Sequence, residues 1–243
     1  MCADGTFEYS PLVFQQMYTF IVCKDGYYLP MAHFLLVNKN AATYKRVLQM
    51  LSAECEKLGF SLSASLKDGS VMLVYEIAMI NTFKSSFPSC KIKGCRLHIG
   101  QSLWCRIQRL GLAPLYRQKD SLDGEWLRGV FGLPLLPQIM IKKAFDEYCK
   151  AASSSKIKEF KEYISANYVS SKATFPSSMW MWTDLDGPST NNSAESFHRQ
   201  FGDLFGYFKG NPMIWHFLCN MRAFNTLKEI NMNSKKIVKK CYF

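Results

Sequence analysis

Acidic side chains from distant parts of this chain could form a metal-dependent nuclease site if the fold brings them together. Such nucleases hold two divalent cations roughly 4 Å apart with carboxylates, which activates water and stabilises the leaving oxygen. Asp4 and Glu195 have the required residue type near the two ends of the chain. A local interpretation competes with each. Asp4 before Gly5 is typical of an Asx-type turn, which the residues alone favour, whereas the capping box formed by residues 192–195 is compatible with a catalytic Glu195.

A third acid is not evident in the middle of the chain. The apolar run of residues 71–75 predicts a buried central strand, and it ends without an aspartate. Glu76 follows the run and is expected to start a helix, and Asp68 precedes the strand, so neither is a convincing replacement. His198 stands three residues after Glu195 and is expected to share a helix face with it.

Cys95 and His98 have the Cys-x-x-His spacing of half a zinc site, expected at the end of a strand over residues 91–97. A zinc site needs a second pair of ligands, and only His33, His198 and His216 remain among the histidines. A buried cysteine beside a hydrogen-bonded histidine is the alternative. The chain contains no glycine-rich phosphate loop, and no Ser-His-Asp arrangement can be argued from its motifs.

The chain has a net charge of +11, and part of its positive charge lies in residues 84–119. That stretch has no Asp or Glu and contains eight cations: Lys84, Lys91, Lys93, Arg96, Arg106, Arg109, Arg117 and Lys119. A solvated surface is one interpretation, and a surface that meets phosphates is the other. Nucleic acid is the favoured partner, because no lipidation signal or amphipathic anchor indicates a membrane.

The use of cysteine indicates a reducing compartment. The nine cysteines are odd in number and scattered, with no Cys-x-x-Cys pair. The first twenty residues lack the apolar core of a signal peptide, and no stretch approaches the roughly 18 apolar residues of a membrane span. We expect a protein of the nucleus or cytosol. Because the chain opens at the end of a predicted strand, we also expect residues to be missing upstream.

The apolar periodicity predicts strands first and helices later. Asp25-Gly26 predicts a hairpin over residues 17–37 with Pro30 at an edge or a bulge, and Asn40 caps a predicted helix. Strands over residues 71–75 and 91–97 then alternate with helices. This is the element order of the ribonuclease-H-like fold, an α/β mixed sheet flanked by helices, although the pattern leaves other α/β arrangements open. The predicted divisions are a first part of the core (1–112), a mostly helical insertion (113–185), and closing helices with a basic tail (186–243).

Short motifs along nearly the whole chain match one family in combination. They are Asp4-Gly5-Thr6-Phe7, Leu29-Pro30-Met31-Ala32 through Leu36-Val37-Asn38-Lys39, Thr43-Tyr44, Phe87-Pro88, Lys93-Gly94-Cys95-Arg96-Leu97-His98 with Gln101, and Thr190-Asn191-Asn192 with Glu195 and His198. In this combination the chain resembles the catalytic domain of Mutator-like element (MULE) transposases. The resemblance implies a ribonuclease-H-like nuclease of DNA transposition in which Asp4 and Glu195 are the first and last catalytic acids.

One motif departs from the family pattern. The family's central strand ends in Asp-Phe-Glu-x-Ala, whereas this chain has Val74-Tyr75-Glu76-Ile77-Ala78 at that place. Val74 therefore replaces the second acid, and a valine side chain cannot bind a cation. We expect a transposon-derived domain that is impaired in catalysis. The alternatives are a domesticated nucleic-acid-binding module without chemistry and a relic without function.

The resemblance also implies roles for individual residues. Asp4 and Glu195 would be the surviving ligands of Mg²⁺ or Mn²⁺, and Cys95 with His98 would be structural or would bind zinc. DNA is the implied partner, and a homo-oligomer stays open. The residues expected at the DNA are Arg96, Arg106, Arg109 and His198, with the arginines on the backbone and not on the bases.

Overall fold

The computed structural model of the chain describes residues 1–24, 27–150, 155–181, 192–203 and 211–241, without the side chains of residues 23, 24, 27, 156, 192–197 and 228–241. The strands are β1 Cys2–Thr6, β2 Gln16–Lys24, β3 Tyr27–Leu36, β4 Ser70–Leu73 and β5 Lys91–Gly94. They form one mixed sheet in the order β3-β2-β1-β4-β5, and helices flank it. The predicted α/β class with a mixed sheet is confirmed.

Helices make up most of the remaining described chain. They are α1 Ala41–Lys57, α2 Leu62–Leu66, α3 Ile77–Ser86, α4 Arg96–Arg109, α5 Ala113–Arg117, α6 Leu122–Gly129, α7 Gln138–Lys150, α8 Ser155–Ile164, α9 Ser177–Trp180, α10 Asn192–Asp203 and α11 Ile214–Cys241. A 3-10 helix, Val130–Leu135, follows α6, and a π-helical turn, Ser165–Val169, follows α8. None of the helices in the described ranges combines the length and the apolar character needed to cross a membrane.

The chain forms two compact units. Unit 1 contains Met1–Ala64, Asn81–Ser86 and Asn192–Phe243, and unit 2 contains Ser65–Ile80 and Phe87–Asn191. In unit 1, β1, β2 and β3 form an antiparallel meander, and the predicted hairpin is confirmed because Lys24 at the end of β2 pairs with Tyr27 at the start of β3. The Asp25-Gly26 turn itself lies outside the described residues.

The pairing of β2 with β3 contains a β-bulge near Pro30. Ile21 pairs with Pro30, but the preceding Phe20 pairs with Ala32. Met31 is therefore an extra residue, and the register changes by one on either side of it. Pro30 was predicted at an edge or at a bulge, and both hold, because β3 ends the strand order of the sheet.

The helix predicted after the hairpin is α1. Its N-cap is Asn40, whose Oδ1 accepts a hydrogen bond of 2.8 Å from the Thr43 N–H. The stripe that packs against the core is Tyr44, Val47, Leu48, Leu51 and Cys55. The helical spacing also predicts Leu58 in this stripe, but Leu58 is 76% exposed, because α1 ends at Lys57 and Gly59 turns the chain with a φ of 83°.

Helix α10 starts at Asn192 as predicted and packs on β1 and β2 within unit 1. The fully buried Phe201 anchors it, with edge-to-face ring contacts to Tyr9, Phe217 and Phe224 at centroid distances of 6.3, 5.7 and 5.6 Å. The helix expected after Pro212 is α11, and the segment expected to be a basic tail continues that helix to Cys241.

In unit 2, β4 and β5 are parallel neighbours, and the apolar run of β4 is buried as predicted. Both strands are shorter than the apolar patterns indicate. The strand predicted over residues 91–97 ends at Gly94, since the helical spacing of Ile99, Leu103 and Ile107 extends back to a helix start at Arg96. Residues 61–70 show no periodicity and predict a loop, but this segment contains the short helix α2.

Residues 113–181 of unit 2 are mostly helical, as the pattern predicts. The predicted stripe of α8 and the following π-helical turn is buried and consists of Ile157, Phe160, Ile164 and Tyr168. Trp180 Nε1 donates to the carbonyl oxygens of Tyr168 and Phe175 at 3.2 and 3.0 Å, which fixes the end of this helical part. The small residues of 151–155 predict a linker; residues 151–154 lie outside the described residues, and Ser155 is the first residue of α8.

Candidate functional site

Three polar residues lie side by side on one face of the sheet in unit 1. Asp4 of β1 pairs with Thr19 of β2, and Thr19 pairs with His33 of β3. Directly paired residues of neighbouring strands project to the same face, so these three form a continuous polar row. Thr19 Oγ1 lies 3.1 Å from His33 Nδ1, and Asp4 is only 6% exposed. The polar row is therefore buried at Asp4 and Thr19 and half-buried at His33.

The β-bulge is what places His33 in the polar row. The register near the turn would pair Thr19 with Ala32 and send His33 to the opposite face. The extra residue, Met31, moves His33 opposite Thr19 instead. His33 is not among the site residues predicted from the sequence, and Pro30, as a sign of a bulge in an edge strand, was the signal that could have identified it.

Helix α10 brings His198 onto the polar row. Its Nε2 lies 3.9 Å from Asp4 Oδ2, and the side chain is 9% exposed. Asp4 stands in the middle of β1, and its Oδ1 accepts a hydrogen bond of 2.8 Å from the Gly5 N–H. The interpretation of Asp4 as a turn residue is therefore wrong, because the strand continues through Gly5 to Thr6.

Burial decides the charge of the two histidines. It lowers the pKa of His198 from 6.5 to about 4, and the neighbouring His33 acts in the same direction. Burial also lowers the pKa of His33 to about 4. Asp4 would favour a charged His198, but 3.9 Å is longer than a hydrogen bond, and we take desolvation to be the larger effect. At neutral pH both imidazoles are neutral, and the contact of His198 with Asp4 is not an ion pair.

Glu195 lies in the first part of α10, one helical turn before His198. Its side chain and those of its capping box lie outside the described residues. Because α10 packs on β1, the helix that carries Glu195 meets the strand that carries Asp4. The helix position expected for the last acid is thus next to the strand expected for the first one.

Val74 lies in unit 2, directly after β4, and is 7% exposed. Its carbonyl oxygen accepts a hydrogen bond of 2.8 Å from the Glu76 N–H, which turns the chain toward α3. Asp68 stands at the other end of β4, in a turn with a φ of 58°. Neither Asp68 nor Glu76 occupies the position at which β4 ends. That position holds the buried Val74.

Cys95 is the N-cap of α4 in unit 2, and His98 lies in the first turn of that helix. The expectation that both end a strand is corrected, since β5 stops at Gly94. Cys95 is fully buried, its N–H donates to the Leu73 carbonyl at 3.1 Å, and its side chain makes no capping hydrogen bond. Burial lowers the pKa of His98, with an opposing contribution from Glu76.

The donor groups of the described residues do not fit a pair of Mg²⁺ ions. The polar row and His198 supply one carboxylate, one hydroxyl and two neutral imidazoles, whereas Mg²⁺ prefers oxygen ligands and imidazole suits transition metals. Within the described ranges, no cluster of three or more His, Cys, Asp or Glu could hold a metal ion. Cys95 and His98 likewise have no second pair of ligands in that part of the chain.

The three arginines expected at DNA differ in their surroundings within unit 2. Arg106 donates to Glu159 Oε1 at 2.7 Å and lies over the Tyr163 ring at 5.2 Å from its centroid. Arg109 is exposed in the last turn of α4, and Arg96 lies half-buried in the first turn. Arg106 therefore contributes to packing on α8, and the two ends of α4 present the more available positive charges.

Comparison of the chain with protein-family models, with curated proteins and with solved structures finds no match. The motifs and the geometry of the residues described above therefore carry the information on function.

Proposed function

We propose that this chain is a ribonuclease-H-like domain of the Mutator-like transposase family, derived from a DNA transposon and impaired in DNA cleavage and strand transfer. The observation that carries the proposal is the contact between β1 and α10. His198 Nε2 lies 3.9 Å from Asp4 Oδ2, although about 190 residues separate the two in sequence. The motifs expected to hold the first and last acids are thus joined in unit 1.

The order of the elements also supports the proposal. A meander of three strands is followed by helix, strand, helix, strand and then helices. The sheet order β3-β2-β1-β4-β5, with β2 antiparallel to its neighbours and β4 parallel to β5, supports the ribonuclease-H-like part of the proposal. A fold of this kind hosts many functions, so the motif residues carry the functional part of the argument.

Val74 is the reason to expect impaired catalysis. A two-cation mechanism needs carboxylates that hold the ions against the attacking and leaving oxygens. The methyl groups of Val74 have no lone pair, and the residue is buried where β4 ends. Loss of one ligand of a shared cation site weakens or abolishes Mg²⁺ binding.

The proposed partner is DNA, and the proposed compartment is the nucleus. The net charge is +11, and the acid-free stretch of residues 84–119 includes β5 and α4. Exposed cations such as Arg109 and Lys119 suit phosphate contacts that do not read sequence. This charge distribution also favours a second candidate function, a non-catalytic DNA-binding module that retains the surface and has lost the chemistry.

Reversion of Val74 tests the catalytic proposal. The Val74→Asp variant should nick supercoiled plasmid in Mg²⁺ or Mn²⁺, whereas the unaltered chain and the uncharged Val74→Asn variant should not. Asp4→Asn in the Val74→Asp background should abolish the nicking. Circular dichroism checks that all variants are folded. Nicking by the unaltered chain would show that Val74 is not a lesion, and a folded revertant without nicking would refute the nuclease ancestry of this site.

The salt dependence of duplex binding tests the DNA-binding module. The logarithm of the affinity should fall linearly with the logarithm of the salt concentration, and Arg109→Gln should reduce the slope by about one unit. Glu159→Gln is the control, because it removes a negative charge and not a positive one. An affinity without dependence on salt would favour a relic that lacks a DNA-binding role.

A further inference from the structure

Unit 2 contains a surface groove of about 500 Å³ between α4 and the 3-10 helix. The residues that line it include Arg96, Leu97, Gly100, Trp104, Phe131 and Pro134. The volume is in the range of small-molecule and cofactor sites, which are about 300–1,000 Å³. The lining combines two aromatic rings with one guanidinium group.

The aromatic rings of the groove are held in place by a third ring. Tyr116 contacts Trp104 edge-to-face at 5.0 Å between centroids and contacts Phe131 at 5.9 Å. Its carbonyl oxygen accepts a hydrogen bond of 2.6 Å from Arg128, which fixes the segment that carries it. A planar ligand that stacks on Trp104 would therefore meet a rigid surface, which lowers the entropic cost of binding.

The charge around the groove selects an anionic occupant. Helix α4 carries Arg96, Arg106 and Arg109 and no acid. Arg106 is paired with Glu159, whereas Arg96 makes no hydrogen bond or ion pair within the described ranges. Arg96 also stands in the first turn of α4, where the helix dipole adds positive potential and Cys95 supplies no side-chain cap. A second copy of this chain would bring a further net charge of +11 and is disfavoured.

We propose that this groove binds one nucleotide of single-stranded DNA, with a phosphate at Arg96 and the base against Trp104. The choice of nucleic acid rests on the proposed DNA-binding function. Arg96 and Trp104 are eight residues apart, so about 12 Å of helix separates them, which a sugar-phosphate unit and an arginine side chain can bridge. In duplex DNA the faces of the bases are covered by their neighbours, so duplex cannot use the aromatic part of the groove.

The test uses the full chain and two fluorescent 12-nucleotide strands of equal charge, one of thymidines and one of abasic residues. Anisotropy measures the affinities. The thymidine strand should bind roughly 5- to 150-fold more tightly than the abasic strand, the range expected for stacking of one base. Quenching of tryptophan fluorescence should accompany only the thymidine strand. Duplex DNA of equal length is measured in parallel.

A larger side chain at Gly100 can block the groove without removing a charged group or an aromatic ring. A Cβ at Gly100 would meet Phe131 Cδ1 at 4.0 Å, an ordinary contact, so Gly100→Ala fits and serves as the control. The longer side chain of Gly100→Leu fills the groove without loss of helix propensity. Gly100→Leu should lose the preference for thymidine over abasic strand, and Gly100→Ala should keep it. Arg96→Gln should lower the affinity for both strands more than Arg109→Gln does.

Several results would overturn the assignment. Equal affinity for the two strands would show that only phosphates are bound, and an unchanged preference in Gly100→Leu would place the base elsewhere. A change in sedimentation of Gly100→Leu without loss of the preference would identify a second copy as the occupant. If duplex binds but the base preference is absent, the groove proposal fails while the proposed DNA-binding function stands. If neither form of DNA binds, both fail.

Discussion

Acidification should destabilise unit 1 because His198 is buried as a neutral base. Its pKa is lowered from 6.5 to about 4, so between these values the unfolded chain binds more protons than the folded chain. The burial of neutral His198 therefore has no cost in stability above pH 6.5, and the free energy of unfolding decreases as the pH falls from 6.5 toward 4. One pKa unit corresponds to about 1.4 kcal/mol. At pH 5, about 1.5 units below the unfolded value, His198 lowers the free energy of unfolding by about 2 kcal/mol, and the loss approaches about 3 kcal/mol below pH 4.

Urea unfolding at pH 7.5 and pH 5 measures this loss, and a variant isolates it. His198→Gln replaces the imidazole with an amide that does not titrate, so its free energy of unfolding should fall about 2 kcal/mol less than that of the unaltered chain, while the part of the loss that comes from the lowered pKa of His33 remains in both. His216 is exposed on α11, and His216→Gln is the matched control for the replacement of one histidine. Titration of the His198 ring protons by NMR gives the pKa directly.

The attraction between Asp4 and a charged His198 opposes the effect of burial on the pKa of His198. Asp4 Oδ2 lies 3.9 Å from His198 Nε2, and a carboxylate at that distance stabilises an imidazolium. A measured pKa of His198 at or above 6.5 would show that this attraction outweighs desolvation and that the pair is ionic. His198 would then not be held neutral by its burial on the polar row.

Three further substitutions test the packing that positions the site, each by the free energy of unfolding in urea. Phe201→Ala should lower the free energy of unfolding by about 3–5 kcal/mol because it removes a fully buried ring, and Phe201→Leu should lower it less. A loss below about 1 kcal/mol in Phe201→Ala would contradict the packing of α10. Asn40→Ala should lose about 1 kcal/mol, because Oδ1 no longer accepts from the Thr43 N–H, and Asn40→Asp should retain most of it; equal stabilities would rule out the cap. Gly5→Ala should lose about 1–3 kcal/mol, since its Cβ would lie 2.5 Å from Gln16 Oε1, and no loss would mean that the Gln16 side chain moves aside.

Local signals predicted much of the fold. The Asp25-Gly26 pair placed the hairpin, Asn40 placed the start of α1, and the apolar stripe identified its buried face. These features depend on neighbouring residues, so a single sequence contains them. Strand lengths did not follow from local patterns. β5 ends at Gly94 because a helix begins at Arg96, and an apolar alternation cannot distinguish the two near a boundary.

The site was predicted only in part. Asp4 and His198 were singled out by their motifs, and the structure brings them together on unit 1. His33 was missed, because its face of the sheet depends on the bulge at Met31, and a bulge changes the register without changing the strand pattern. The groove at Trp104 was missed as well. Its rings converge from α4, α5 and the 3-10 helix, and that convergence is a tertiary property.

Synthesis on the ribosome runs from β1 toward α10, and the joining of these two elements has a consequence for the nascent chain. The ring of Tyr9, which Phe201 contacts, and the part of β1 and β2 on which α10 packs stay uncovered until residues near 200 have emerged. At about 5–20 residues per second this delay is roughly 10–40 s. During that interval the meander is available to chaperones, and a chain released before residue 192 could not bury it, so premature termination should yield aggregates and not a smaller soluble domain.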